Sequence, residues 1–407
     1  MTPAHRAPAH PAPAHGSPAH GYPAHGSTAH GSTTHGSTTH GSTTHGSTTH
    51  GSTTHGSTAH WSPAKLTRRR VLGFASLAAV PAVTYAGLHV RDSGPAAQAT
   101  PRAAHSASPS AAARPSSVAA APVVTSGGGP VPFRPGEAML GAYLDLTGTS
   151  LTQALALRRQ QLGRTERIVH AFYAWTDTLL QGMPSLPAGS IPLVSWRGTT
   201  YADILNGSSD GLIAAAARRL AADKRPTMLR WAWEMNGDWY SWGGSKNPER
   251  SAGYVTSWQR IHKIFAAEGA TNISWVWSPN WRSSTQETWN EVADYYPGDK
   301  YVDWVGMSGY NLYRETPAAL FDTVYTQYSA RKPIMITEVG AVDRGGRTKA
   351  EWIETFGTWV GDRPGVGAVC WFDTDTHPNY PEKWRIDTDA DSLAAFRTLA
   401  TSARFSG

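Results

Sequence analysis

The sequence predicts an α/β protein, a (β/α)8 TIM barrel preceded by a disordered N-terminal region. Three observations carry this expectation. From Met139 onward, eight short apolar runs alternate with stretches of helical periodicity. The alternating part is about 270 residues long, the usual size of one eight-fold barrel. Acids, amides and aromatics crowd the C-terminal ends of the runs, where such barrels place their ligand-facing residues.

The chain divides by composition before the barrel begins. Residues 1–66 open with twelve pentapeptides, each ending in His from His5 to His60. A five-residue period fits neither helix nor strand, and without apolar side chains such a segment cannot offset its ordering entropy, so disorder is expected. Residues 67–99 resemble a twin-arginine export signal: Thr67-Arg68-Arg69-Arg70-Val71-Leu72 opens a mildly apolar stretch to Val90, and Ala97-Gln98-Ala99 suits a signal peptidase. That pattern implies the twin-arginine export machinery as a partner and a secreted or cell-surface location. A membrane anchor is the competing reading, and Gly73, Pro81 and Gly87 interrupt it. Residues 100–135 are rich in Ala, Pro, Ser and Gly, including Gly127-Gly128-Gly129, and read as a linker. Residues 136–407 are the expected catalytic barrel, and a monomer.

The expected strands are Met139–Leu144, Ile168–Tyr173, Ile191–Trp196, Thr227–Trp233, Ile273–Trp277, Val302–Met307, Pro333–Thr337 and Gly367–Phe372. Helical patterns lie at Thr149–Leu162, Ser208–Ala222, Pro248–Glu268, Pro317–Ser329, Lys349–Val360 and Asp387–Ala400. Ser208-Ser209-Asp210-Gly211 and Asn247-Pro248 supply helix-start signals. The segments after the second and fifth runs are the least helical.

The net charge of +6 misleads about partners. Residues 1–99 hold Arg6, Lys65, Arg68, Arg69, Arg70 and Arg91 against Asp92, or +5; the remaining 30 basic and 29 acidic residues leave +1. A nearly neutral domain gives no electrostatic case for nucleic acid. Cys370, the sole cysteine, excludes an intrachain disulfide and sits in an apolar run. His170, His262 and His377 are scattered without ligand spacing, so no metal is expected. No Gly-rich phosphate loop and no nucleophile elbow appears, and no cofactor is expected.

Two acids carry the chemistry. Glu234 lies in Arg230-Trp-Ala-Trp-Glu-Met-Asn-Gly-Asp-Trp-Tyr-Ser-Trp242, among four tryptophans. A carboxyl among aromatic rings is poorly solvated and favours its protonated form, as an acid that protonates a glycosidic oxygen must. Tryptophan faces are also surfaces for the apolar side of a sugar ring, and 16 of the 17 tryptophans lie between Trp175 and Trp384. Glu338 ends a second buried run, Lys332-Pro-Ile-Met-Ile-Thr-Glu338. Two carboxyls at strand ends, roughly 5–5.5 Å apart, are what a retaining glycosidase requires. Further candidates at run ends are Tyr143, Asp145, Trp175, Trp196, Arg197, Asn236, Trp277, Asn280, Tyr310, Asn311, Trp371 and Asp373. Trp239 and Trp242 would stack sugars or staple their loop. Hydrogen bonds from Tyr310 or Arg230 would hold Glu338 ionised.

Trp233-Glu-Met-Asn-Gly237, then Trp239-Tyr-Ser-Trp242, with Ile336-Thr-Glu-Val-Gly340 about a hundred residues on, resembles glycoside hydrolase family 26. The resemblance implies a (β/α)8 barrel and a retaining β-mannanase, lichenase-type glucanase or xylanase acting on a polysaccharide. It makes Glu234 the acid/base and Glu338 the nucleophile, with Tyr310 against the nucleophile and Trp371 as the floor of a sugar subsite. The family carries His directly before the acid/base Glu. This chain has Trp233 there, which keeps a ring N–H donor and loses an acceptor, and Arg230 is expected to take over part of that substrate contact. The competing functions are a carbohydrate-binding barrel without catalysis, which would need neither carboxylate, and a membrane-tethered hydrolase of the cell's own exopolysaccharide.

Overall fold

Strands covered on both faces read as continuous apolar runs, and that is why the eight runs stand out from the helical stretches. In the computed structural model the described residues are 122–183, 185–377 and 384–405. The pentapeptide repeat, the export-signal segment and the linker up to residue 121 lie outside them.

Among the described residues the runs form β1 (Met139–Asp145), β2 (Ile168–Tyr173), β3 (Ile191–Trp196), β4 (Thr227–Trp231), β5 (Ile273–Trp277), β6 (Trp304–Asn311), β7 (Ile334–Ala341) and β8 (Val366–Thr374). They pair in parallel, in sequence order, into a closed barrel in which β8 returns to β1. The helices are α1 (Leu151–Leu162), α2 (Tyr201–Leu205), α3 (Asp210–Asp223), α4 (Arg250–Ala267), α5 (Pro317–Tyr328), α6 (Thr348–Gly361) and α7 (Ala390–Thr401). Local chemistry sets their ends. Ser150 and Gln153 form a reciprocal cap before α1, and Gly163 closes it in the left-handed region. Thr316 caps α5 ahead of Pro317 at its first turn. Among the described residues no helix follows β2, and only 3-10 turns follow β5.

Five strands end elsewhere than expected; β1 and β8 run on by one and two residues, to Asp145 and Thr374. β4 stops at Trp231 because Ala232 and Glu234 take positive φ, 43° and 54°. β6 and β7 run on to Asn311 and Ala341, past the polar residues that break their apolar pattern.

The barrel interior starts as an apolar layer of Met139, Ile168, Leu193, Met228, Val276, Trp304, Met335, Ala368 and Cys370. Val131 and Phe133 close that layer from the N-terminal side. The linker expected to reach residue 135 therefore ends earlier: from Pro122 the chain is part of the barrel. Val131 N donates to Ser274 Oγ at 2.9 Å, and the Gly128 carbonyl accepts from Ser274 Oγ at 2.6 Å and Trp304 Nε1 at 3.0 Å. Gly128 has φ +90°, and a Cβ there would stand 2.3 Å from the Val131 carbonyl. The glycine run that signals a linker here makes a tight turn, because both demands select a residue without a side chain.

Candidate active site

Alternation along the strands brings polar residues into the interior above the apolar layer. Two positions past Ile168, Leu193, Met228, Val276 and Met335 come His170, Ser195, Arg230, Ser278 and Thr337, each buried. Simple alternation would then send Glu338 outward, toward the helices. It does not, because β7 carries an extra residue: Ile336 pairs with Met307, but Glu338 pairs with Ser308, skipping Thr337. Thr337 Oγ1 bonds the Met307 carbonyl and Ser278 Oγ, both at 2.8 Å. The bulge resets the alternation, so Thr337 and Glu338 both face inward. Glu234 arrives by other means. The left-handed turns at Ala232 and Glu234 fold the chain over the mouth, fixed by Glu234 N donating to the Ser278 carbonyl at 2.8 Å. Non-glycine residues in that region cost about 1–3 kcal/mol each, so the surrounding structure holds Glu234 against strain.

The two carboxyls share a set of partners and differ in environment. Arg230, fully buried, donates to Glu338 Oε1, to Ser195 Oγ at 3.2 Å and to Ser308 Oγ at 2.5 Å. Tyr310 donates its hydroxyl to Glu338 Oε2. Glu338 thus lies between a guanidinium and a phenol, both donors. Glu234 accepts from Trp239 Nε1 at 3.0 Å and has the Asn280 and Ser308 side chains beside it. Burial, then the Glu338 charge, pushes its carboxyl up to about 7, against smaller opposing effects of Arg230, Asn280 and Ser308. Ser308 accepts from Arg230 and lies beside Glu234, so it stands between the two halves of the site.

The remaining candidates separate by face. Tyr310 and the half-exposed Trp239 stand at the carboxyls. Trp277 and Trp371, expected at the mouth, point the other way. Trp277 packs on Tyr296 and on Tyr328 of α5; Trp371 packs on Trp352 and Phe356 of α6 and Phe396 of α7. Both occupy outward registers, where a strand-end tryptophan fills the layer under the helices. Trp196 and Asp373 lie outward as well, Asp373 in a two-point ion pair with Arg158 of α1. Arg230 and Trp233 have no exposed surface to offer a ligand. Trp233 is covered by Phe172, Tyr240 and Trp242 and lies 5.2 Å from the Arg230 guanidinium. Trp242 is the staple rather than the platform: its Nε1 donates to the Trp233 carbonyl at 2.8 Å. Asn236 is spent on the loop after β5, bonding the Asn280 backbone on both sides at 2.9 and 3.0 Å.

An aromatic basin takes the place expected for Trp371. Tyr310, Phe372 and Trp384 pack together with Tyr143 and Phe172 beside Glu338. Trp384, after β8, lies 5.1 Å from the Tyr310 ring, and its carbonyl accepts the Trp371 N–H at 2.9 Å. The expectation was one residue off along β8, where Phe372 is the inward neighbour of Trp371. Sequence reasoning also missed Ser195, Ser308 and His170. The available signal was register: each stands two or four positions past an interior apolar residue.

A family model described as glycosyl hydrolase family 26 matches residues 192–384. The chain is similar to endoglucanase H of Acetivibrio thermocellus, 33% identical over 278 residues, which cover 63% of this chain and 30% of that protein. It is also similar to a mannan endo-1,4-beta-mannosidase of Bacillus subtilis, 31% identical over 140 residues, 33% of this chain and 36% of the relative. It therefore spans about a third of the length of these relatives. Among solved structures, an endo-beta-1,4-mannanase double mutant of Cellulomonas fimi aligns with a TM-score of 0.50 at 16% identity, covering 66% of this chain and 72% of that one, a likeness of fold. The family match runs from β3 through β8 and contains both carboxylate motifs, and over those residues the chain is a glycosyl hydrolase family 26 sequence.

Proposed function

We propose that the protein is a retaining endo-β-glycanase that cleaves a β-linked polysaccharide of the mannan or glucan type by double displacement. Glu234 is the acid/base and Glu338 the nucleophile. The observation that carries this reading is the electrostatic asymmetry of the pair. Burial raises Glu234 to about 7, so near neutrality a large share of it holds the proton a leaving oxygen needs. Glu338 faces Arg230 and Tyr310, donors that suit a carboxylate poised for attack.

The steps follow from these roles. Glu338 bonds to the anomeric carbon as the glycosidic C–O bond breaks, and the Glu234 proton passes to the departing oxygen. Glu234, now ionised, takes a proton from water, whose oxygen displaces Glu338 with overall retention. Trp239, bonded to Glu234, and the partly exposed Tyr143 and Phe172 of the basin offer ring faces to the sugars on either side. The names of the relatives, an endoglucanase and a mannan endo-mannosidase, support the choice of glucan or mannan. The same reading has the protein exported as a folded monomer through the twin-arginine machinery, supported by Thr67–Leu72 and Ala97-Gln98-Ala99. A mature N-terminus near residue 100 is expected by mass analysis, and one upstream of Arg68 would refute export by cleavage.

Reducing-end release on mannan, glucomannan, mixed-linkage glucan and xylan tests the activity. An activated aryl glycoside then separates the roles. Glu338→Ala should lose roughly 10⁴-fold or more on every substrate. Glu234→Ala should still form the glycosyl-enzyme from a good leaving group, and azide should speed its turnover to a glycosyl azide of retained configuration. Azide rescue of Glu338→Ala with retention, and none of Glu234→Ala, would reverse the roles.

A further inference from the structure

Arg230 is held from three sides, and the third side has no part in the scheme above. Its guanidinium reaches Glu338, Ser308 and Ser195, and Ser195 in turn lies 2.7 Å from His170 Nε2. One direction among these bonds is fixed. Arginine only donates, so Ser195 Oγ accepts from Arg230 and has its one proton to give. Its contact with His170 Nε2 runs from Ser195 when the ring proton is on Nδ1 and from His170 when it is on Nε2. The surroundings hold the ring neutral. His170 is 2% exposed, its ring centroid 4.4 Å from that of Phe172 and 5.9 Å from that of Tyr143. Burial, with the Arg230 charge adding to it, drives its pKa down to about 3, and Glu338 opposes.

We infer that His170 and Ser195 are positioning residues: through a chain of hydrogen bonds they hold the Arg230 charge on Glu338 and away from Glu234. The inference rests on the reading of these acids as nucleophile and acid/base. The geometry is a balance of two serines. Ser308 accepts from Arg230 and lies beside Glu234, and so draws the guanidinium toward the acid. Ser195 holds the other end of the same group, anchored to β2 through His170. Releasing the Ser195 side lets the guanidinium settle on the Ser308 side, nearer Glu234, where a positive charge favours ionisation. The acid would then surrender its proton at a lower pH. The charged and titratable groups facing His170 are Tyr143 from β1, Arg230 from β4 and Glu338 from β7. Those facing Glu234 are Glu338, Arg230 and Tyr240.

The test titrates Glu234 itself in the full chain, by carboxyl ¹³C NMR, using the signal that disappears in Glu234→Gln. In Ser195→Ala its midpoint should fall by ~0.5–1 pH unit, and the basic limb of kcat/KM on the best-cleaved of the four polysaccharides should fall with it, along with about a tenfold loss at the optimum. His170→Leu should act in the same direction. Ser195→Thr, which keeps the hydroxyl, should return the midpoint toward the wild-type value. A merely structural role would lower the unfolding temperature and leave the midpoint in place. An unchanged or higher midpoint in a folded Ser195→Ala overturns the inference. If no glycan is cleaved, or Glu338→Ala retains activity, the functional reading fails instead, and the Glu234 titration still decides whether this arm steers Arg230.

Discussion

The barrel interior has two halves built from the same strands, and they are made for opposite ends. The lower half is apolar from wall to wall, with Met139, Ile168, Leu193, Met228, Val276 and Met335 packed around Trp304 and closed by Val131 and Phe133. One inward position higher, those strands present His170, Ser195, Arg230, Ser278 and Thr337. The lower half needs only volume and apolar surface. The upper half buries a guanidinium and two carboxyls, which is costly unless each finds partners, and it adds two left-handed residues and a bulge to aim them. The difference teaches where stability is made and where it is spent.

Breaking the lower half should give the largest stability effect. Phe133→Ala empties the closing layer and should cost about 3–5 kcal/mol. A fall in the thermal midpoint with kcat/KM intact at low temperature is the expected result; a midpoint within a degree of wild type would mean that residues 122–135 contribute little.

The upper half should respond in the opposite sense. A raised carboxyl pKa stabilises the fold only while the group is protonated, so the contribution is full below the ordinary 4.5 and is lost as pH rises through about 7. Glu234→Gln removes the charge and should therefore be more stable than wild type above pH 7, by about 2–3 kcal/mol, with the gain vanishing near pH 4. Thermal unfolding at pH 8 and pH 4 measures it, and equal gains at both would contradict a protonated acid. Activity should fall in parallel with deprotonation, kcat/KM declining above about pH 7.

Two tryptophans sharpen the contrast between faces. Trp371→Phe removes the bond to the Trp384 carbonyl and some volume under α6 and α7, so a loss of about 1–2 kcal/mol is expected with KM unchanged. Trp239→Phe keeps a ring at the mouth and removes the donor to Glu234. Its expected effect on stability is the smallest, with about a tenfold fall in kcat/KM and little change in unfolding temperature. If the two variants exchanged these signatures, the assignment of faces would be wrong.

Much of this was legible beforehand, and the misses share a cause. The eight runs, the six longer helices and both carboxylate motifs follow from patterns a few residues long. Trp277 and Trp371 were misplaced because a strand end says which layer a residue reaches, not which face it takes. Gly127–Gly129 was misplaced because a flexible linker and a tight turn select the same residue. Glu338 lay at a position simple alternation would have sent outward, and its motif located it where the period could not.

By itself the sequence determined the order of strands and helices, the neutrality of the barrel domain and the two acids on which the proposed chemistry rests, since each is a matter of local spacing and composition. Only the tertiary structure decided which tryptophans meet the mouth, that residues 122–135 close the barrel floor, and that Arg230, Ser195, His170 and Ser308 converge on the carboxyls. Those facts depend on closure of the barrel and on one extra residue in β7. Closure brings side chains from β2, β3, β4, β6 and β7 to one point, and no window along the chain contains that point.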